Sequence, residues 1–227
     1  MTRTAAAVAI LILAPIYAYA APTYGTEMPE KGRISEGYQY NAIFDHRLNA
    51  SYGRMVSVQH FFDISYGVYD WLSLDGKAGA GDLIQEGGEH PRVYYGYGFA
   101  GGYGLRLLAL NDLKNKVKVA VGLHHISVHP VDGSVEGDRY ESLLDEWQCS
   151  IISSKRIGRF IPFLGGKASR SDLVYKVNKI DRKRRPPRYC LGVVAGCEVI
   201  LNEVMSVRAE GHFIDETSLS AGVYYKF

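Results

Sequence analysis

The chain has 227 residues, with 26 Lys and Arg against 24 Asp and Glu, so its formal net charge is only +2. This balance gives no global attraction to nucleic acid or to acidic substrates, and we expect no nucleic-acid partner. The three cysteines, Cys149, Cys190 and Cys197, are too few and odd in number for a disulfide framework. We assign them to packing.

The first 20 residues have the pattern of an export signal. Arg3 gives a basic start, an apolar run follows from Ala5 to Ile16, and the small-residue pattern Ala18-Tyr19-Ala20 predicts cleavage before Ala21. The apolar run is shorter than the roughly 20 residues of a membrane-spanning helix, and no other stretch of the sequence comes near that length. Any insertion into a membrane must therefore use strands.

After this signal, segments of alternating polarity recur between turn signals and predict ten antiparallel strands. An eight-stranded barrel is the alternative, because the first segment is weakly patterned and the last hairpin, at Ile214 to Glu216, is short. Connections alternate between short turns and longer loops, which is typical of a membrane barrel with periplasmic turns and surface loops. The predicted strands are 35–45, 55–68, 72–82, 93–110, 116–129, 140–154, 160–177, 189–201, 204–213 and 217–227, and the longer loops are 46–54, 83–92, 130–139 and 178–188. The predicted organisation is a signal peptide (1–20), a periplasmic N-terminal segment (21–34) and a barrel domain (35–227).

The two-residue period assigns one face of each strand to lipid and the other to the lumen. In the second strand Phe62 and Ile64 are predicted to face lipid, with Asp63 and Ser65 in the lumen. The fourth strand is predicted to place Tyr95, Tyr97 and Phe99 against lipid. A soluble lipocalin-like barrel would reverse the two faces, and periodicity alone does not distinguish them. The polar face consists mainly of Gly and Ser, which favours a narrow interior, and the 17 Tyr suit interfacial belts.

The last stretch, Ser218 to Phe227, alternates small or polar residues with apolar ones and ends on an aromatic residue. With the export signal and the strand rhythm, it resembles the small bacterial outer-membrane β-barrel proteins, the porin-like and outer-membrane-protein-A-like class. The resemblance implies a monomeric transmembrane up-and-down β-barrel in the outer membrane, in contact with outer-membrane lipid and lipopolysaccharide. It also implies that Val223, Tyr225 and Phe227 form the signal recognised by the barrel assembly machinery.

Charged residues on the predicted lumen face are nearly balanced between acids and bases. Buried together in a narrow barrel, they must pair, which predicts a salt-bridged plug closing the bore. The alternative is a narrow diffusion pore lined by the same side chains. These residues are Asp63, Asp75, Lys77, Arg106, Lys118, Glu146, Lys167, Glu198, Arg208, Glu210 and Lys226.

A basic segment lies in the predicted surface loop 178–188. Guanidinium groups bind phosphate through paired donors, so we expect this loop to contact lipopolysaccharide. A solvated loop held extended by Pro186 and Pro187 is the alternative. The predicted contacts are Lys179, Arg182, Lys183, Arg184, Arg185 and Arg188.

The sequence predicts a structural or surface-interacting protein with no enzymatic activity, cofactor or metal. One enzymatic alternative comes from His125, Ser127 and Glu141, which could share a face as acid, base and hydroxyl. The His-x-Ser pattern is similar to that of the lipid A deacylases, which are also small outer-membrane barrels. Val128 stands where those enzymes have Asn. A metal site is disfavoured because the adjacent His124 and His125 face opposite sides of a strand.

Overall fold

A computed structural model describes residues 24–49, 52–88 and 91–227. The predicted signal peptide and the first three residues of the predicted periplasmic segment lie outside this range. Within the described range the regular structure is entirely β, and no helix there is long and apolar enough to cross a membrane.

The strands form one continuous antiparallel sheet. Ten of them close on themselves in the order β1-β2-β3-β4-β5-β7-β8-β10-β11-β12, with β12 paired to β1. This confirms the ten-stranded barrel over the eight-stranded alternative. The strands are β1 (Ile34–Arg47), β2 (Arg54–Tyr69), β3 (Leu72–Glu86), β4 (Val93–Asp112), β5 (Val117–Val131), β6 (Gly133–Val135), β7 (Asp138–Lys155), β8 (Phe160–Val177), β9 (Ile180–Arg185), β10 (Leu191–Ile200), β11 (Met205–Phe213) and β12 (Thr217–Lys226).

The remaining two strands, β6 and β9, lie where the sequence predicted irregular loops. β6 pairs with the start of β7, and β9 folds back along the end of β8, with Tyr175 opposite Lys183. The predictions of loops over 130–139 and 178–188 are therefore wrong in part. Because β9 takes the end of β8 as its partner, β10 begins at Leu191, two residues after the predicted start.

The two-residue alternation of the sequence produces an inside and an outside. In β2, Asp63 and Ser65 are buried whereas Phe62 and Ile64 are 53% and 43% exposed. β12 follows the same pattern, with Ser218, Ser220 and Tyr224 buried. A barrel of this size has an interior that side chains fill, so the small and polar face turns inward.

The predicted outward position of Tyr95 is wrong. The β4–β5 register shifts between Gly96 and Phe99, and such a bulge changes which face successive side chains occupy. Tyr95 is consequently buried in the lumen, while Tyr97 and Phe99 remain outside at 46% and 62% exposure.

Inside the barrel, near the loop connections, Tyr95 belongs to a cluster of buried apolar side chains. Six of the ten wall strands contribute side chains to this cluster, and Leu48 lies in the connection that follows β1. We call it the apolar cap. Its members are Leu48, Met55, Phe61, Leu83, Val93, Tyr95, Ala100, Ile126, Val128, Tyr140, Leu144 and Leu173.

Candidate functional site

Arg106 on β4 joins the barrel wall to the N-terminal segment. Its Nη1 donates hydrogen bonds to the backbone carbonyls of Tyr24 (2.9 Å) and Glu27 (3.0 Å). Its Nε and Nη2 donate to the two carboxylate oxygens of Asp75 on β3, at 2.9 and 2.8 Å. Residues 24–30, predicted only as a periplasmic segment, therefore enter the end of the barrel.

Tyr24 is the deepest described residue of that segment. Its ring stacks on His124 of β5, with ring centroids 4.5 Å apart, and the Lys77 ammonium lies 4.3 Å from its centroid. Further towards the mouth, Thr26 hydrogen-bonds Ser154 at 2.5 Å. Within this segment, residues nearer the N-terminus therefore lie deeper in the lumen.

The remaining charges at the depth of Tyr24 pair across the bore. Lys77 lies 3.7 Å from Asp63, and Arg208 donates to Glu198 at 2.9 Å. The Arg208 guanidinium also lies 4.3 Å from the ring centroid of Tyr224. A cavity of only about 10 Å³ is left among Tyr24, Arg106, Arg208, Tyr224 and their neighbours. That is about the space of one water molecule. We call this level the lower ionic layer.

A second ionic layer lies nearer the loops and centres on Lys167 of β8. Its ammonium lies 3.1 Å from Asp215, 3.0 Å from Glu216 and 2.7 Å from Nδ1 of His212. Although burial alone would raise it, the pKa of Glu216 is held well below its usual range by Lys167, with further support from His46 and His212. These groups form the upper ionic layer.

Of the predicted lumen residues, nine are buried inside. Besides those above, Glu210 lies 3.2 Å from Nε2 of His212, and Glu146 is buried with its Oε1 making no hydrogen bond. The other two lie at the mouth, where Lys118 donates to Glu27 at 2.8 Å and Lys226 lines a cavity of about 660 Å³.

The sequence reasoning missed several members of these layers. His124 is an even number of residues from Lys118 in β5, and His212 is two residues from Glu210 in β11. Residues at such a spacing face the same side of a strand, so periodicity could have placed both histidines inside. No periodic signal marks four other members, because they lie outside the strands or beside a register shift. They are Tyr24, His46, Asp215 and Glu216.

The outer surface of the wall is apolar between two aromatic groups. At the turn end Tyr69 and Trp71 stack with centroids 5.3 Å apart, and Tyr225 lies 4.8 Å from Phe227. At the other end Tyr94, Tyr97 and Phe99 are exposed. A closed antiparallel wall with an apolar outside, aromatic belts and a polar inside is the architecture of barrels that cross outer membranes. The chain folds as a small outer-membrane β-barrel.

No family model and no curated protein matches the chain. Among solved structures, the outer-membrane barrel is similar to the outer membrane protease OmpT from Escherichia coli, with 11% identity, 89% of this chain and 99% of that chain covered, and a TM-score of 0.46. An outer membrane channel from Pseudomonas putida F1 gives 10% identity, coverage of 92% and 100%, and a TM-score of 0.48. The beta domain of the Bordetella autotransporter BrkA gives 13% identity, coverage of 87% and 100%, and a TM-score of 0.43.

A group of polar side chains interrupts the apolar wall where β5, β7 and β8 approach the loops. Nε2 of His125 lies 2.8 Å from Oδ1 of Asp145, and Asp172 pairs with Arg170 (3.0 Å) and Arg184 (2.5 Å). Immediately below, the outward residues are Leu123, Cys149 and Ala168. The polar group therefore marks the upper edge of the apolar band.

The three residues of the enzymatic alternative are not brought together. Ser127 hydrogen-bonds Nε2 of His129 at 2.9 Å, whereas His125 has Asp145 as its acid. Glu141 lies 3.6 Å from Lys176, four residue pairs before Asp145 on β7. A single acid–base–hydroxyl chain is not formed by these side chains.

The basic segment separates into two roles. Arg184 points outward to Asp172, while the Arg185 guanidinium lies 3.3 Å from the ring centroid of Tyr52. Arg188 lies 5.5 Å from the ring centroid of Tyr189. Lys179, Arg182 and Lys183 are exposed. The predicted assembly residues Val223, Tyr225 and Phe227 are exposed on the outer side at the turn end.

Proposed function

We propose that this outer-membrane barrel is a non-conducting, non-enzymatic protein that acts through its outer surface and loops. The single observation that supports a closed lumen best is the 10 Å³ cavity left in the lower ionic layer. A hydrated ion needs a continuous column of water, and this space holds about one molecule. Open aqueous channels are found in much larger barrels, of about 16 strands.

Two further levels of packing support the same proposal. The upper ionic layer surrounds a Lys167 side chain with no exposed surface. Above it the apolar cap joins Leu48 and Met55 on one side of the bore to Leu144 and Leu173 on the other. An ion crossing the barrel would have to displace both levels, and burying an unpaired charge among apolar groups is costly.

Planar-bilayer recordings test this function. We expect the purified barrel to give no conductance steps, and a variant lacking residues 24–30 to give none either, because the upper ionic layer and the apolar cap are still present. Tyr95→Gly with Leu144→Gly, which opens only the apolar cap, should also give none, because the upper ionic layer around Lys167 still fills the bore. Conductance steps from the wild-type barrel would contradict a closed lumen.

We further propose that the exposed cations of the 179–188 segment bind phosphate groups of lipopolysaccharide. Arg182 and Lys183 are exposed beside the polar group at the upper edge of the apolar band, the depth at which lipid headgroups begin. The wall below is apolar and suits acyl chains. The lipid phosphates would therefore meet exposed cations, and the acyl chains would meet the apolar wall.

A lipid hydrolase is the second candidate, and the Ser127–His129 hydrogen bond is the observation that favours it. A hydroxyl beside an imidazole at the lipid interface has the ingredients of an activated nucleophile. Against it, no acid contacts His129 in the described contacts, and Asp145 is engaged by His125. Comparing lipid A from cells with the wild-type barrel and with Ser127→Ala decides between the two candidates.

A further inference from the structure

Four arginines surround an open groove at the loop end of the barrel. The groove has a volume of about 710 Å³, which is within the range of small-molecule sites. Within the described part of the chain, only two carboxylates line it, Asp45 and Glu86. The groove therefore has an excess of positive charge. Its arginines lie at the end of β1, at the start of β2, just before β4 and shortly after β9, and they are Arg47, Arg54, Arg92 and Arg188.

The strand register places two of these arginines directly opposite each other. Arg47 is the pairing partner of Arg54 in the β1–β2 ladder, and the two side chains are 59% and 50% exposed. Like charges at opposite positions of an antiparallel pair are destabilising. Arg188 lies beside them, because its backbone amide donates to the carbonyl of Arg47 at 2.8 Å. This placement does not help the fold, whereas an anion between the guanidinium groups would relieve their repulsion.

The two carboxylates neutralise only part of this charge. Nε of Arg47 lies 3.1 Å from Asp45, and Glu86 is shared between Arg54 at 2.5 Å and Arg92 at 3.3 Å. The fourth arginine of the groove forms no ion pair with any described residue, and its guanidinium lies 5.5 Å from the ring centroid of Tyr189. The arginines therefore retain the capacity to bind an anionic ligand.

The floor of the groove is formed by backbone. Gly53 and Gly87 have φ values of +76° and +80°, and a Cβ on Gly53 would lie 2.2 Å from the carbonyl oxygen of Glu86. The loop before β2 and the loop after β3 are therefore in direct contact beneath the arginines. Leu48 is the one apolar side chain larger than glycine among the described lining residues, and it is 2% exposed. A ligand would meet charges and peptide groups, which suits a hydroxylated molecule.

We propose that this groove binds a phosphate monoester carried by a sugar, with the phosphate held by Arg47, Arg54 and Arg188. A phosphate monoester has nearly two negative charges at neutral pH and three acceptor oxygens, and guanidinium groups bind it through paired donors. Two sources supply this chemistry, a soluble sugar phosphate and a phosphorylated sugar of lipopolysaccharide. The site is separate from Arg182 and Lys183 and does not depend on the lipid contact proposed for them.

Two binding measurements on the purified barrel test this site. Titration calorimetry in detergent uses glucose 1-phosphate as the probe, and co-sedimentation uses vesicles that contain lipopolysaccharide. We expect saturable binding of at least one probe, and an affinity at least fivefold weaker in the double variant Arg47→Gln/Arg54→Gln. Arg159→Gln, an exposed arginine in a turn at the opposite end of the barrel, is the matched control and should bind as the wild type does. A loss with glucose 1-phosphate indicates a soluble ligand, and a loss with vesicles alone indicates lipopolysaccharide.

Two results would overturn the proposal. One is a wild-type barrel that binds neither probe, and the other is a double variant that binds both probes as the wild type does. Glucose that binds as well as glucose 1-phosphate would exclude a phosphate site in the same way. Arg182→Ser distinguishes this groove from the basic segment, because it should weaken only the binding to vesicles. If Arg182→Ser changes nothing while the double variant loses binding, the segment's lipid contact fails and the groove stands.

Discussion

Arg106 and Asp75 form a bidentate ion pair inside the barrel, with both side chains almost fully buried. The same guanidinium holds two carbonyls of the N-terminal segment. One side chain thus connects two neighbouring wall strands to the residues that fill the bore.

Removing that guanidinium alone should strongly lower the free energy of unfolding of the barrel. Arg106→Met leaves the Asp75 carboxylate buried with only His124 at 3.3 Å, and losing one partner of such a pair costs about 3–5 kcal/mol. Urea unfolding followed by the gel shift between folded and heated barrel measures this. Adding Asp75→Leu removes the orphaned charge and should recover more than half of the loss. If the double variant were less stable than the single one, the ion pair would not explain the effect.

Gly67 on β2 packs directly against the backbone of Pro29 and Glu30 in the N-terminal segment. A Cβ there would lie 2.1 Å from the carbonyl oxygen of Glu30, which backbone cannot easily avoid. Gly67→Ala should displace the segment and speed tryptic cleavage after Lys31 or Arg33 at least tenfold, as seen by mass spectrometry. Gly166→Ala is the control, because its Cβ would meet nothing within 4 Å. Equal cleavage of both variants would contradict this contact.

The barrel itself could be predicted because its physical signal is local. In β2 the alternation of Phe62 and Ile64 with Asp63 and Ser65 follows directly from a wall with a different environment on each side. Tyr95 could not be placed, since a register shift depends on the pairing of β4 with β5 and leaves no periodic trace.

The contents of the lumen were only partly predictable. The two-residue period places Arg106 and Glu198 inside. Their ion-pair partners lie on neighbouring strands, and the register between those strands decides which side chains meet. The entry of Tyr24 had no signal at all, because a short irregular segment has no period. Glu141 was assigned to a site from spacing alone, and its Lys176 partner on β8 shows why spacing was insufficient.

The upper ionic layer predicts a loss of stability in acid. The lowered pKa of Glu216 stabilises the fold fully above the pKa of an unfolded Glu, about 4.3, and this contribution is lost as the pH falls through the lower folded value. Wild-type barrel should therefore lose more unfolding free energy between pH 6 and pH 3 than Glu216→Gln. Parallel pH profiles for the two proteins would show that Glu216 is not responsible.

Two arginines of the basic segment should behave differently. Arg182→Ser should weaken binding to lipopolysaccharide vesicles several-fold without changing stability, because this side chain is exposed. Arg185→Ser should instead lower stability by about 1–2 kcal/mol, because it removes the stacking of the guanidinium on Tyr52. Vesicle co-sedimentation and urea unfolding measure the two effects. The assignment fails if Arg185→Ser alone reduces binding.

Ser127→Ala should leave the lipid A of the cell unchanged. Ser127 contacts His129, but no described acid orients that imidazole, so efficient proton transfer is not expected. Mass spectra of lipid A from strains with the wild-type and variant barrels provide the comparison, with His129→Gln as a second variant. A species lost in both variants would establish a hydrolase.

The seam between β1 and β12 joins the first wall strand to the last. Its residue pairs run from Asp45 opposite Thr217 to Ser35 opposite Lys226, and beyond them the amide of Phe227 donates to the carbonyl of Ile34. Residues nearly 200 positions apart must meet before this edge disappears, which makes ring closure a late and slow event in folding. Until then the chain presents two unsatisfied strand borders, and a neighbouring polypeptide could add to either. The wall is therefore open to edge-to-edge pairing while it folds, even though the closed ring leaves neither of these two strand edges unpaired.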